Sequence, residues 1–150
     1  MCPPLDLKGE FDMGKGRLTA NPPNVPPPVG IYSHIARVDA KELLFLAGQV
    51  AVDDNGEVLA KGDAGAQTRI AYERVGAILA DAGATYQDIV QVRTYVVGVE
   101  NKQSYLDERE KLFNEIYADG VFPPNTFVFV EALFEPDMLV EIEVIAAIAQ

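Results

Sequence analysis

The chain has 150 residues, of which 49% are hydrophobic and 23% charged, and its formal net charge at pH 7 is −11. This length suffices for one domain with a sizeable core, and so acidic a surface repels phosphate backbones, which makes nucleic acid an unfavourable partner. With one cysteine, Cys2, and one histidine, His34, the sequence offers neither a disulfide framework nor a metal site built from several cysteines or histidines.

The first 28 residues differ in composition from the rest of the chain. Seven of the ten prolines lie there, and proline lacks an amide donor and restricts the residue before it. We therefore expect residues 1–28 to form an extended arm, either partly disordered or lying along a neighbouring subunit, ahead of a domain over residues 29–150. The arm has no apolar core typical of a signal peptide, and no run reaches the roughly 18 apolar residues that a membrane span needs. A cytoplasmic protein is the expectation.

The first half of the domain reads as strands followed by a helix. Residues 34–38 and 42–52 read as strands, and residues 89–99, which are rich in β-branched side chains, read as a buried strand. The first two are expected to form a hairpin closed by a short turn. Between the second and third, Asp63 is expected to cap a helix that runs to about Ala82, because apolar residues recur there at helical spacing and Gly83 suits the position after a helix.

The second half repeats the alternation of helix and strand. Asn101 can cap a second helix, which carries an apolar stripe and is expected to end at Gly120. The sequence "FPPN" over residues 122–125 predicts a turn, and two last strands are expected over residues 126–133 and 138–148. The order β-β-α-β-α-β-β predicts an α+β sandwich, a single sheet with both helices on one face. The other face is rich in apolar residues and is expected to meet another subunit.

Two carboxylates interrupt the last strand. Glu141 and Glu143 share one face of "MLVEIEVIAA" with Leu139 and Ile145. An unpaired buried carboxylate is costly, so each must reach water, a partner or a site. The pattern leaves two interpretations open, a solvent-facing or edge strand and a carboxylate that lines a pocket.

No widespread catalytic motif is present. The glycines lack the spacing of a phosphate-binding loop, and no GxSxG occurs. Ser33 and His34 are adjacent on a predicted strand and therefore point to opposite faces. Four short segments remain, each weak alone: "VGIYSH", "LAGQV", "FPPNTF" and "VEIEVIA". In the second, a glycine inside a strand permits close backbone approach.

In this order and at these separations, the four segments resemble the RidA/YjgF family, also called the L-PSP endoribonuclease family. The resemblance covers about residues 25–149. Gly30-Ile31-Tyr32 matches the Gly-x-Tyr at the start of the family pattern, and Ala47-Gly48-Gln49 matches its "SGQ" segment. Pro123-Pro124-Asn125 matches the "P-x-R" turn, and Val140-Glu141-Ile142-Glu143 matches the terminal "(I/V)EIE".

The resemblance implies a chorismate-mutase-like α+β fold with a mixed sheet and a homotrimer built around a central barrel. It implies three small-molecule sites in clefts between subunits. The best-known members hydrolyse enamines and imines and need no metal or cofactor, so none is expected here. Glu141 would be the catalytic acid–base group, and Tyr32, Gly48 and Asn125 would bind the substrate. Glu143 is expected in the barrel interior or at a wet rim.

Three departures from the family pattern bear on which substrate the site can bind. The resemblance places at Asn125 an Arg that clamps the substrate carboxylate, and a neutral amide cannot form that charged fork. Ala47 replaces a serine, and the second helix has Glu108-Arg109-Glu110 where an asparagine is usual. The chain therefore resembles an Arg-lacking branch. If a residue other than Asn125 captures a carboxylate, Arg93 and Arg109 are the nearest candidates in the sequence.

Three functions follow as alternatives. The first is a deaminase that hydrolyses an enamine, imine or related C–N metabolite. The second is a trimer that binds a small metabolite without turnover. The third is the endoribonuclease or translation-inhibitor role of some relatives, which the charge of −11 disfavours.

Overall fold

The computed structural model of the chain describes residues 17–149, so Cys2 and most of the predicted arm lie outside the described residues. The elements are β1 Arg17–Ala20, β2 Ile35–Val38, β3 Ala40–Gln49, α1 Ala64–Asp81, β4 Ile89–Val97, α2 Lys102–Ile116, β5 Asn125–Val130 and β6 Val140–Ala149.

The main sheet has four strands in the order β3-β6-β4-β5. Strands β4 and β5 are parallel, and the other two pairings are antiparallel. Both helices contribute to the core on one face, where Tyr72, Leu79 and Phe113 are buried with Val92 and Ile142 of the sheet. The predicted α+β fold, a mixed sheet with two helices on one face, is confirmed.

The first predicted hairpin is wrong. β2 pairs with β1 rather than with β3, so the strands form two sheets instead of one. Only Asp39 separates β2 from β3, and the commonest hairpin loops have two residues. Residues 17–20 of the predicted proline-rich arm thus supply a strand, because β1 provides the hydrogen-bonding partner that β3 cannot.

Helix α1 has the predicted ends, whereas α2 does not. The side chain of Asp63 accepts a hydrogen bond from the amide of Ala66 at 3.0 Å, and Gly83 follows α1 with φ of 74°. Asn101 precedes α2, but its side chain donates to the carbonyl of Val97 at 2.8 Å instead of capping the helix. Helix α2 ends at Ile116, and Gly120 belongs to the following turn.

One buried amide connects α1 to the segment before β6. Gln67 is fully buried, and its Nε2 donates to the carbonyls of Leu59, Ala60 and Asp137. Its Oε1 accepts from the amide of Leu139 at 2.7 Å. These bonds satisfy a polar side chain that would otherwise be costly in the core.

The face of the sheet away from the helices, here called the free face, carries large exposed apolar side chains. They alternate with core residues along the strands and include Leu43, Phe45 and Val128. Phe45 is 72% exposed.

Among residues 17–149, no helix is long and apolar enough to cross a membrane.

A candidate active site in two halves

Glu141 lies on the free face, directly over Gly48 of β3. Leu46 pairs with Val144 and Gln49 with Ile142, so two residues of β3, Ala47 and Gly48, lie opposite the single residue Glu143 of β6 and form a bulge. A Cβ atom at position 48 would overlap the Glu141 carboxylate. The absence of a side chain at Gly48 therefore creates the space that this carboxylate occupies.

Glu143, two residues further along the same face, has partners in its own chain. Arg93 donates to it at 2.6 Å and the hydroxyl of Tyr95 at 3.1 Å. The hydrogen bond to Glu143 is the main reason that the pKa of Tyr95 is raised. The Glu141 side chain forms no hydrogen bond or ion pair with residues 17–149. Of the two carboxylates, only Glu141 is available to a ligand.

Tyr32 and Asn125 line a different space, a cleft of about 600 Å³ between α2, the start of β5 and the segment before β2. We call it the helix-side cleft; Lys102 and Arg109 of α2 also line it. Asn125 opens β5 and pairs with Val92, a core residue, so its side chain lies on the helix side of the sheet.

Two polar side chains of the helix-side cleft lack partners. Both the Nδ2 and the Oδ1 of Asn125 are buried without a hydrogen bond to residues 17–149. Arg109 is only 7% exposed, and its Nε has no partner there either. Native proteins leave few buried polar atoms unsatisfied, and each one calls for an explanation. A polar ligand would supply one.

The four predicted site residues therefore form two pairs on opposite faces of the sheet. Ile142 and Val144 point into the core, so Glu141 points away from it, together with Gly48, while Asn125 and Tyr32 are on the helix side. Within one chain the pairs do not meet. A single site would require two copies of the chain, one presenting each pair.

Arg109 is the residue that sequence reasoning undervalued. It was expected only as an alternative for carboxylate capture, beside Arg93, which is now seen to bind Glu143. An available indication was that Arg109 falls on the apolar stripe of α2, in line with Tyr105 and Leu112, all three of which are buried. A cation at a core-facing position without an acidic neighbour on that stripe is typical of a functional group.

Comparison with known proteins gives a consistent result. The Endoribonuclease L-PSP family model matches residues 23–148. The 3-aminoacrylate deaminase RutC of Acinetobacter baylyi is 29% identical over 128 residues, covering 83% of this chain and 93% of that protein. The crystal structure of YyfB, a Rid-family protein of unknown function from Yersinia pestis, is 33% identical with a TM-score of 0.77, covering 89% and 99% of the two chains. E. coli TdcF with bound serine is 28% identical with a TM-score of 0.64, covering 83% and 93%.

Proposed function

The chain belongs to the Endoribonuclease L-PSP family, which includes the Rid proteins, and we propose that it hydrolyses an enamine or imine with Glu141 as the acid–base group. One relative is named as a deaminase of 3-aminoacrylate, and another binds serine. Both compounds are small, and each has an amine on a carbon skeleton that ends in a carboxylate. A small imino or enamino acid is therefore the substrate class that we propose.

The single observation that carries this proposal is the Glu141 carboxylate, held over Gly48 without a partner among the described residues. A carboxylate in this state can take a proton from a water molecule as the water attacks the carbon of a C=N bond. The same carboxylate returns that proton to nitrogen, which gives a carbinolamine. It then moves the hydroxyl proton of the carbinolamine to nitrogen, so that the C=O bond forms as the C–N bond breaks and ammonia leaves. Imine and water give a carbonyl compound and ammonia.

The reaction needs both pairs of residues, and association between copies of the chain would bring them together. The free face supports association, because Phe45 and Leu43 are 72% and 50% exposed and large exposed apolar patches mark contact surfaces. In the homotrimer that we propose, Glu141 and Gly48 of one copy face the helix-side cleft of the next. Tyr32 then lies across the substrate from Glu141.

The experiment is a panel of imines and enamines generated in situ from amino acids, with ammonia release as the readout. We compare the natural chain with Glu141→Gln and, as a matched control, Glu143→Gln. Loss of a general acid–base group typically lowers turnover by roughly 10²-fold or more, whereas loss of a carboxylate that is already paired with Arg93 leaves the acid–base chemistry in place.

Equal turnover by the natural chain and Glu141→Gln would exclude Glu141 as the acid–base group. No ammonia from any compound in the panel, together with binding of the same compounds, would favour a metabolite-binding trimer instead. Light scattering under the assay conditions checks the assembly, and a stable monomer would exclude a site shared between copies.

A further inference from the structure

The helix-side cleft has the opposite charge to the rest of the chain. Twenty-three acidic residues give the chain its net charge of −11, yet none of the described residues that line this cleft is an Asp or Glu, while Lys102 and Arg109 both line it. Lys102 is exposed at the rim and Arg109 is buried. The cleft thus concentrates positive charge where a ligand from solvent would enter.

The Arg109 guanidinium is fixed in place by apolar contacts rather than by an acid. Its central carbon lies 5.6 Å from the centre of the Tyr105 ring and 5.7 Å from that of Phe113. Such stacking orients a guanidinium but leaves its N–H groups free to donate. The neighbouring acid Glu108 is engaged with Arg69 and Lys111, so Arg109 forms no ion pair with residues 17–149.

A buried, unpaired cation is costly, because burial removes its hydration without replacing it. Arginine cannot avoid this cost by losing its proton. Asn125, with both amide atoms unsatisfied, lines the same cleft. An anion with two coplanar oxygens would satisfy both residues, since a guanidinium donates two parallel hydrogen bonds to a carboxylate and the amide of Asn125 can donate a third.

We propose that Arg109, supported by Asn125, binds the carboxylate of the substrate and thereby selects α-imino and α-enamino acids over neutral imines. This inference rests on the proposed function for the identity of the substrate, although carboxylate binding itself does not depend on turnover. The cation comes from the second helix, and the position at the start of β5 contributes a neutral donor beside it.

The experiment measures binding of pyruvate, a keto acid of the product class, by calorimetry. Pyruvamide is the matched neutral probe, because it has the same shape without the charge. The natural chain should bind pyruvate more tightly than pyruvamide. Arg109→Gln should weaken pyruvate binding by at least about tenfold, the scale of one hydrogen bond to a charged group, and should leave pyruvamide binding little changed. Arg74→Gln, which removes a cation of α1 outside the cleft, is the control and should change neither.

A second variant moves the charge across the cleft. In Arg109→Gln with Asn125→Arg, the guanidinium stands at the start of β5 and the amide on α2, so the pair of donors is kept with its positions exchanged. Recovery of pyruvate binding to within a few-fold of the natural chain is expected. It would show that the cleft requires a cation and a neutral donor near the same ligand position, which a merely structural role of Arg109 would not produce.

The outcomes separate this inference from the proposed function. Unchanged pyruvate affinity in Arg109→Gln, with a lower unfolding temperature, would make Arg109 a packing residue and overturn the inference, even if Glu141→Gln abolishes turnover. Loss of pyruvate binding in Arg109→Gln, in a chain that releases no ammonia from any imine, would support a carboxylate-binding cleft and contradict the deaminase. If the natural chain binds pyruvate and pyruvamide equally weakly, the inference that Arg109 binds a carboxylate would also be overturned.

Discussion

The bulge at Gly48 and the helix-side cleft each contain a charged side chain without a partner among the described residues, and the two charges have opposite signs. Among residues 17–149, the bulge holds a carboxylate, Glu141, without a cation, whereas the cleft holds a cation, Arg109, without a carboxylate. Pairing is common elsewhere in the described residues, for example between Arg93 and Glu143 and between Arg69 and Glu108. A partly buried carboxylate and a buried cation without such partners are therefore our candidates for the positions that a ligand or a second copy of the chain would complete.

The largest effect is expected from mixing two impaired variants. Glu141→Gln lacks the acid–base group and Arg109→Gln lacks the cation, so each should be impaired alone at low substrate concentration. If one site takes Glu141 from one copy and Arg109 from its neighbour, random reassembly of equal amounts gives about one quarter of sites with both residues intact. Ammonia release should therefore rise well above that of either variant after unfolding and refolding together. No recovery would place both residues of a site in the same copy.

The next effect tests the bulge. Gly48→Ala introduces a Cβ into the space of the Glu141 carboxylate, which is the flexible end of its side chain and should move away. Turnover should fall by about 10²-fold, as for loss of the acid–base group itself, while pyruvate affinity stays unchanged. The double variant Gly48→Ala with Glu141→Gln should be no slower than either alone. Additive losses would mean that Gly48 acts independently of Glu141.

A stability measurement tests the cleft at a smaller scale. Asn125→Val replaces an amide that is buried without partners among residues 17–149 by a β-branched side chain suited to the start of a strand. Burial of an unsatisfied polar group costs about 1–3 kcal/mol, so denaturant unfolding should show the variant to be as stable as the natural chain or more stable by about 1 kcal/mol. Pyruvate binding should weaken at the same time. Marked destabilisation would indicate that the amide has partners in the assembled protein.

The smallest effect concerns the paired carboxylate. Glu143 raises the pKa of Tyr95 above its ordinary value by accepting the phenol proton in a hydrogen bond. A raised pKa in the folded state stabilises the fold below the unfolded-state pKa near 10, and this contribution is lost as pH rises through the folded-state pKa. In Glu143→Gln, phenolate absorbance should appear at lower pH than in the natural chain. Because these side chains are partly exposed, the change in stability at neutral pH should stay below about 1 kcal/mol.

The positions of the helices and strands could be predicted from local sequence patterns. The pairing of the strands could not, because it depends on residues that are far apart in the sequence. The spacing of apolar residues and the cap at Asp63 are local, and α1 was predicted nearly to the residue. The pairing of β1 with β2 depends on residues that are 15 to 21 positions apart and carry no turn motif between them. The division of the site between two faces could not be predicted for the same reason. Alternation assigns Glu141 to one face of its strand, but it does not reveal that Asn125 lies on the other face of the sheet.

The buried amide of Gln67 has a consequence for the order of folding. Its partners Asp137 and Leu139 are 70 and 72 positions away along the chain, so a helix α1 that packs before β6 arrives would bury this amide with half of its bonds unmade. That intermediate is penalised by the cost of an unsatisfied polar group, whereas the complete domain is not. The side chain thus couples the first helix to the last strand, and the two should gain protection from hydrogen exchange together.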